Sequence, residues 1–327
     1  MNTITKGMKL VNRPEQVYKL KYEVGLSIPE IARLSGIAES TVRRHIRRHK
    51  SRIGKTTPLP IKMLPKILII DIETLPMEIF VWALYKQKPT YDQVIKDWCI
   101  LSYSAKWLYD NEIYTGIITP EEAVNREDKS IIKGLWNLVD QADIIIAHNA
   151  IRFDLRKINA RFMLNGLEPP SPYQVIDTLK HAQKVAAFSS HKLNDLLLML
   201  GKSAKIKTEY SLWKKCAGNG TCSLKEQTNA LKEMLTYNIN DVYILEELYL
   251  ILRAWIKPHP NIGLFDTTTV SVCPNCGSPD IIKKGYYYTS VGRYETFRCN
   301  NCKSIGRSRY NDLDKNQKKN LLTSIAR

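Results

Sequence analysis

Residues 66–73 are almost continuously apolar and β-branched until Asp71 and Glu73 interrupt the run, a pattern that predicts a buried strand. Side chains two apart on a strand share a face, so both carboxylates point the same way. Further apolar stretches predict strands near 98–107, 111–118 and 143–148 and helices near 130–140 and 154–164. From Leu224 to Trp255 apolar residues recur at helical spacing without a proline, which predicts one long helix. Tyr237 and Asp241 lie four apart, on one face of it. Asp154 follows the strand at 143–148 and opens the next helix. Strands mixed with helices in this order give an α/β domain over residues 66–258.

The flanks follow other patterns. Residues 28–34 and 39–50 read as two short amphipathic helices, with Pro29 near the start of the first and Ser35-Gly36-Ile37 as the turn between them. This is helix-turn-helix spacing, and it assigns residues 1–52 to a small all-α domain. Val42 and Ile46 face its core, and Ser40, Thr41, Arg43, Arg44, Arg47 and Arg48 are left for DNA. Arginine reads guanine edges or only phosphate, and both readings stay open. Residues 53–65, rich in basic residues and proline, read as a linker. Cys273, Cys276, Cys299 and Cys302 form two Cys-x-x-Cys pairs flanking two strand-like runs at 281–288 and 291–298. Four thiolates at this spacing fit tetrahedral Zn²⁺, and the segment 267–310 resembles a zinc ribbon. Residues 311–327 remain as a tail.

Charge sharpens this division. Residues 1–66 hold 15 Lys+Arg against 4 Asp+Glu and residues 267–327 hold 11 against 4, whereas residues 67–266 hold 23 against 24. Basic flanks around a near-neutral centre suit a chain whose ends hold a polyanion, with DNA the expected partner. No apolar run reaches the roughly 18 residues of a membrane span, and the polar first residues carry no secretory signal, so the expected location is cytoplasmic. Cys99, Cys216 and Cys222 show no disulfide framework; the last two read as thiols of a glycine-containing loop.

Three separate elements that aim carboxylates at one place cost stability unless cations sit among them. Hard oxygen ligands in that number suit two Mg²⁺ or Mn²⁺ ions and phosphoryl-transfer chemistry. The order Asp-x-Glu, Asn-x-x-x-Phe-Asp and Tyr-x-x-x-Asp, as Asp71–Glu73, Asn149–Phe153–Asp154 and Tyr237–Asp241, resembles the DEDDy 3′→5′ exonucleases of the ribonuclease-H-like superfamily, whose proofreading domains accompany DNA polymerases. Residues 191–201 and the strand before Asp177 are similar to that family as well. The resemblance implies a mixed sheet, with Asp71, Glu73 and Asp241 as ligands of the ion that activates water. It also implies that Asp71 bridges to a second ion, which Asp154 reaches directly or through water, and that Tyr237 orients the water. Thr74, Leu75, Asn149 and Phe153 are implied contacts to the 3′-terminal nucleotide.

The expected activity is metal-dependent 3′→5′ hydrolysis of DNA, with RNA possible, and no polymerase domain fits in the rest of the chain. A structure-selective endonuclease or a transposase of the same superfamily is one alternative; a DNA-binding regulator with an idle nuclease fold is another. His148 reads equally as a substrate contact or a packing residue. The six tryptophans read as core, and Lys205, Lys207, Lys214 and Lys215 as strand-lining or solvated.

Overall fold

The structure is a computed structural model that describes residues 17, 20–21, 27–53, 64–202, 208–218, 220, 222–266 and 270–325, without the side chains of 34 and 48–53. The chain divides into two compact units, Met1–Lys62 and Met63–Arg327. The expected linker falls mostly outside the described residues, as do Lys205 and Lys207 and the side chain of Arg48.

In the first unit, Ser27 caps α1 (Ile28–Ser35): its Oγ accepts from the Glu30 amide at 3.4 Å, and the Glu30 carboxylate accepts from the Ser27 amide at 2.7 Å. Gly36 ends the helix at φ 68°, a left-handed turn that costs glycine no strain, and α2 (Glu39–Ile53) follows. Val17, Ile31, Val42 and Ile46 form the core. Ser40, Arg43, Arg44 and Arg47 lie on the solvent side of α2, and Arg43 is 3.5 Å from Glu39.

The second unit is built on a five-stranded sheet. Its strands are β1 (Ile67–Thr74), β4 (Ile100–Trp107), β5 (Tyr114–Ile117), β6 (Ile144–Ala147) and β7 (Gln174–Asp177), in the order β5-β4-β1-β6-β7. β2 (Glu78–Ile79) and β3 (Val94–Lys96) pair with each other outside it. The β5-β4-β1 pairings are antiparallel and the β1-β6-β7 pairings parallel, giving the mixed sheet of a ribonuclease-H-like fold. α3 (Pro120–Asn125), α4 (Lys129–Asp140), α5 (Asp154–Leu164), α6 (Thr178–Val185), α7 (Leu193–Met199), α8 (Tyr210–Ala217) and α9 (Leu224–Leu252) complete the layers.

The alternation along β1 sorts its side chains between two cores. Leu68, Ile70 and Ile72 join α4 and α5, while Ile67 and Ile69 join Val242, Leu245 and Tyr249 of α9. Asp71 and Glu73 continue that second series. The face that is apolar at the start of β1 therefore turns acidic at its end, against the middle of α9. A largely buried ion pair between Lys106 of β4 and Glu246 of α9 fixes the helix on the sheet.

Two expectations are corrected. Trp82 is 95% exposed and Trp255 67%, so neither is core: Trp82 lies in the exposed stretch 80–85 after β2, and Trp255 follows the end of α9; Trp98, Trp107, Trp136 and Trp213 pack on the core. Cys216 is not a loop thiol: α8 continues through it, and burial pushes its thiol up to about 12. Gly218, at φ 77°, is where that helix stops.

The last part of this unit is a three-stranded sheet of β8 (Ile281–Thr289), β9 (Gly292–Cys299) and β10 (Ile305–Arg307), followed by α10 (Lys315–Lys319). Its buried centre consists of the cysteines and little else.

Candidate active site

β1 and α9 meet where both carry acids. Oxygens of Asp71, Glu73 and Asp241 lie within 4.8 Å of one another, Asp241 buried and the other two half-buried. Opposite Asp71 and Glu73 on β4 stand Ser104 and Ser102, small side chains that leave the carboxylates room. Asn238, three residues before Asp241 and on the same helical face, donates from Nδ2 to Asp71 Oδ2 at 2.6 Å. It accepts in turn from the Ser102 hydroxyl at 3.4 Å. Asn238 was not foreseen from the sequence, although its three-residue spacing from Asp241 in the phrase TYNIND was a usable signal.

Asp154 opens α5 at 2% exposure and is not among the three clustered carboxylates. Burial first, and then the charges of Asp71 and Glu73, raise its pKa well above the carboxylate range. In the absence of a cation its ionised form is therefore disfavoured. A bound cation reverses that balance, so the acid set fits a cationic occupant.

The turn between β6 and α5 is pinned from below. The buried Asp177 carboxylate accepts from the amides of Asn149 and Ile151, each at 3.1 Å, while also capping α6 through the Lys180 amide. These bonds hold Asn149 at φ 73°, a left-handed conformation that asparagine tolerates better than most residues. His148 is hydrogen-bonded to Thr178 Oγ1 at 2.9 Å and to the His191 carbonyl at 3.0 Å. Both ring nitrogens are thus committed to holding β6 beside α6 and the segment before α7.

A cleft of about 700 Å³ opens over the acids, lined by Asp71, Glu73, Asp241, His148, Asn149 and Phe153, and by Gln183 and residues 189–193 on its far wall. Phe153 presents a ring 36% exposed. Leu75 is elsewhere: its side chain is fully buried and its amide donates to the Cys99 carbonyl, since the strand carries it into the core beyond the bulge after Glu73. Thr74 is half-buried and does not line the cleft. The Tyr237 ring is 6% exposed and edge-on to Trp213, with centroids 6.1 Å apart, one turn before Asp241.

The four cysteines converge as well, with sulfurs within 4.8 Å of one another. Cys273 and Cys302, and likewise Cys276 and Cys299, are 3.6 Å apart, and Ser304 Oγ lies 3.1 Å from both Cys273 and Cys302. The two turns repeat one geometry: the amides of Gly277 and Lys303 donate to the carbonyls of Cys273 and Cys299, with φ 69° and 63°. Hydrogen bonding with Cys276 lowers the Cys273 pKa at the expense of its partner, favouring on Cys273 the thiolate form that a metal takes. This cluster can hold a metal ion.

Among the described residues, no helix is long and apolar enough to cross a membrane. Residues 102–257 match the family model described as 3′-5′ exonuclease, and residues 9–53 that of sigma-70 region 4. The exonuclease match includes Asp154, Tyr237 and Asp241 and begins after Asp71 and Glu73. A DNA polymerase III of PolC type from Ureaplasma parvum serovar 3 is 29% identical over 123 residues, which are 32% of this chain and 8% of that polymerase. The structure of the family B DNA polymerase from the archaeon Pyrobaculum calidifontis aligns at TM-score 0.39 and 13% identity over 58% of this chain and 25% of that one. The chain thus spans a small part of both of these polymerases. Residues 102–257 are similar to the 3′-5′ exonuclease family, and residues 9–53 to sigma-70 region 4.

Proposed function

We propose that the chain removes nucleotides from the 3′ end of DNA with two divalent ions, Mg²⁺ or Mn²⁺, held by Asp71, Glu73, Asp154 and Asp241. The observation that carries this reading is the convergence of three carboxylates from β1 and α9 beneath an open cleft. When bound, the ions supply the charge that acidifies an attacking water and neutralises the departing 3′ oxygen. Asp71 and Glu73 offer their oxygens from the stretch of β1 paired with β4, beyond the part held also by β6, and Asn238 holds Asp71 by a hydrogen bond. Tyr237 orients the water. Phe153 and Asn149 receive the terminal nucleotide, and the basic helix-turn-helix brings the domain to DNA. Nothing in this acid cluster reads a 2′-hydroxyl, so RNA remains a candidate substrate.

The test is digestion of 5′-labelled single- and double-stranded DNA with Mg²⁺ or Mn²⁺, wild type beside Asp71→Asn. A ladder shrinking from the 3′ end only with wild type supports the reading. A single internal cut replaces it with the endonuclease or transposase alternative, and tight binding without cutting replaces it with the regulator. Asn238→Ala, which frees the Asp71 carboxylate to rotate, is expected to slow trimming about 10- to 100-fold, as losses of outer ligand partners do. Single-turnover rates at several Mg²⁺ concentrations check it.

At Cys273, Cys276, Cys299 and Cys302 we assign one structural Zn²⁺ from the donor set. Because β8 is exposed along nearly its whole length and the centre of the sheet is the cysteines, little else holds this region folded. Chelation at neutral pH is expected to expose residues 270–310 to protease while the sheet of β1 stays protected. Mass analysis of limited digests reads the difference, and simultaneous loss of both would count against the assignment.

A further inference from the structure

The three-stranded sheet after the nuclease domain is not explained by holding a metal, because its side chains are chosen for the outside. Tyr287 of β8 and Tyr294 of β9 stand directly opposite each other, and the Arg307 guanidinium lies over both rings, 5.5 Å and 4.0 Å from their centroids. A groove of about 560 Å³ that shares Arg307 with this pair, but not the two rings, is lined by Lys283, Arg309, Phe297, Tyr310 and Leu264, among others. Tyr310 is 86% exposed and Tyr287 45%. Lys283 is paired with Glu295 at 2.8 Å, whereas among the described residues neither Arg307 nor Arg309 has a carboxylate within 4 Å.

Guanidiniums with no carboxylate partner among the described residues, beside exposed phenol rings, match the two parts of a nucleotide, its phosphate and its base face. An acidic peptide would use the cations and leave the rings without purpose; a duplex would offer no unstacked base. Residues 267–327 hold 11 Lys+Arg against 4 Asp+Glu, which completes the charge match to a polyanion. We infer that this groove, together with the tyrosine pair joined to it through Arg307, is a second nucleic-acid site, which holds a single strand with its phosphates at Arg307 and Arg309 and its bases on Tyr310 in the groove and Tyr287 outside it. The inference does not depend on the nuclease chemistry.

The test uses the full chain with a labelled 20-nucleotide oligo(dT) in EDTA, so that nothing is cut, and reads anisotropy across a salt series. Each phosphate contact to a single strand adds about 0.7 to the slope of log K against log salt, so Arg307→Gln with Arg309→Gln should lower the slope by about 1.4. Tyr287→Ala with Tyr310→Ala should weaken binding tenfold or more, the Phe versions should restore it, and duplex affinity should stay unchanged in both. Wild-type slope and affinity in both sets overturn the inference. So does equal loss on duplex in the tyrosine set, which would mean that the rings do not hold bases. Cleavage of a trinucleotide reports the nuclease reading separately. If that cleavage is absent from wild type while the oligo(dT) results hold, the groove stands and the nuclease falls; if it drops in the groove variants, the groove acts through the fold and the inference is overturned.

Discussion

Asp71→Asn is expected to lower the rate of 3′-end trimming by about a thousandfold or more, a loss of about 4 kcal/mol of transition-state stabilisation. Asp71 sits at the point where β1 meets α9, accepts from Asn238 at 2.6 Å, and belongs to the cluster of three acids. An amide keeps the volume and one acceptor oxygen but removes the charge. A hard divalent cation depends on that charge. The fold should survive, because both neighbours of β1 in the sheet pair through backbone groups and the strand's apolar residues are untouched. Single-turnover digestion with excess enzyme, with circular dichroism on the same sample, checks both parts. Retention of more than a few per cent of wild-type rate would remove Asp71 from the metal site.

The second large effect has opposite signs for stability and for activity. Asp154 is buried at the head of α5, and burial together with Asp71 and Glu73 raises its pKa. A carboxyl whose pKa is raised by folding takes stability away above its unfolded value, near 4, and the penalty grows until the folded pKa is passed. Asp154→Asn is therefore expected to melt higher than wild type in EDTA at pH 7 to 8. At about 2–4 °C per kcal/mol for a unit of this size, the shift is measurable by calorimetry. Below about pH 4 both forms of the side chain are uncharged, and the two melting points should converge. With Mg²⁺ the order reverses: wild type gains stability by binding the ion and the variant gains less. The variant should also lose trimming activity. Equal melting in EDTA at neutral pH would mean that burial and the neighbouring acids do not raise the Asp154 pKa as described.

How much of this was legible in advance depends on the range of the interaction that decides it. Asp71 and Glu73 were recognisable as neighbours because the two-residue period of a strand is a local rule, and Tyr237 and Asp241 because the helical period is another. The convergence of Cys273, Cys276, Cys299 and Cys302 was legible for the same reason, since each pair sits in one turn. Leu75 was misplaced. It follows Glu73 closely in sequence, but the register shift at the end of β1 turns its side chain into the core. Trp82 was misplaced in the other direction, since composition assigns a large ring to the interior and only the loose β2-β3 segment leaves it outside. The pin of Asp177 on the Asn149 turn joins residues 28 apart, and no periodicity announces it.

The sequence by itself determined the two patterned flanks, the strand and helix that carry the acids, and the residue types that make the site attractive to cations. Those follow from side-chain period, charge and spacing, all of which act over a few residues. Only the tertiary structure decided that α9 crosses the acidic end of β1, so that Asn238 grips Asp71 and Asp241 completes the cluster while Asp154 lies buried behind it. That placement rests on the packing of Val242, Leu245 and Tyr249 against Ile67 and Ile69 and on the Lys106–Glu246 pair. These contacts join residues more than a hundred positions apart, and burial of apolar surface, which is non-directional along the chain, selects them only when the whole sheet is assembled.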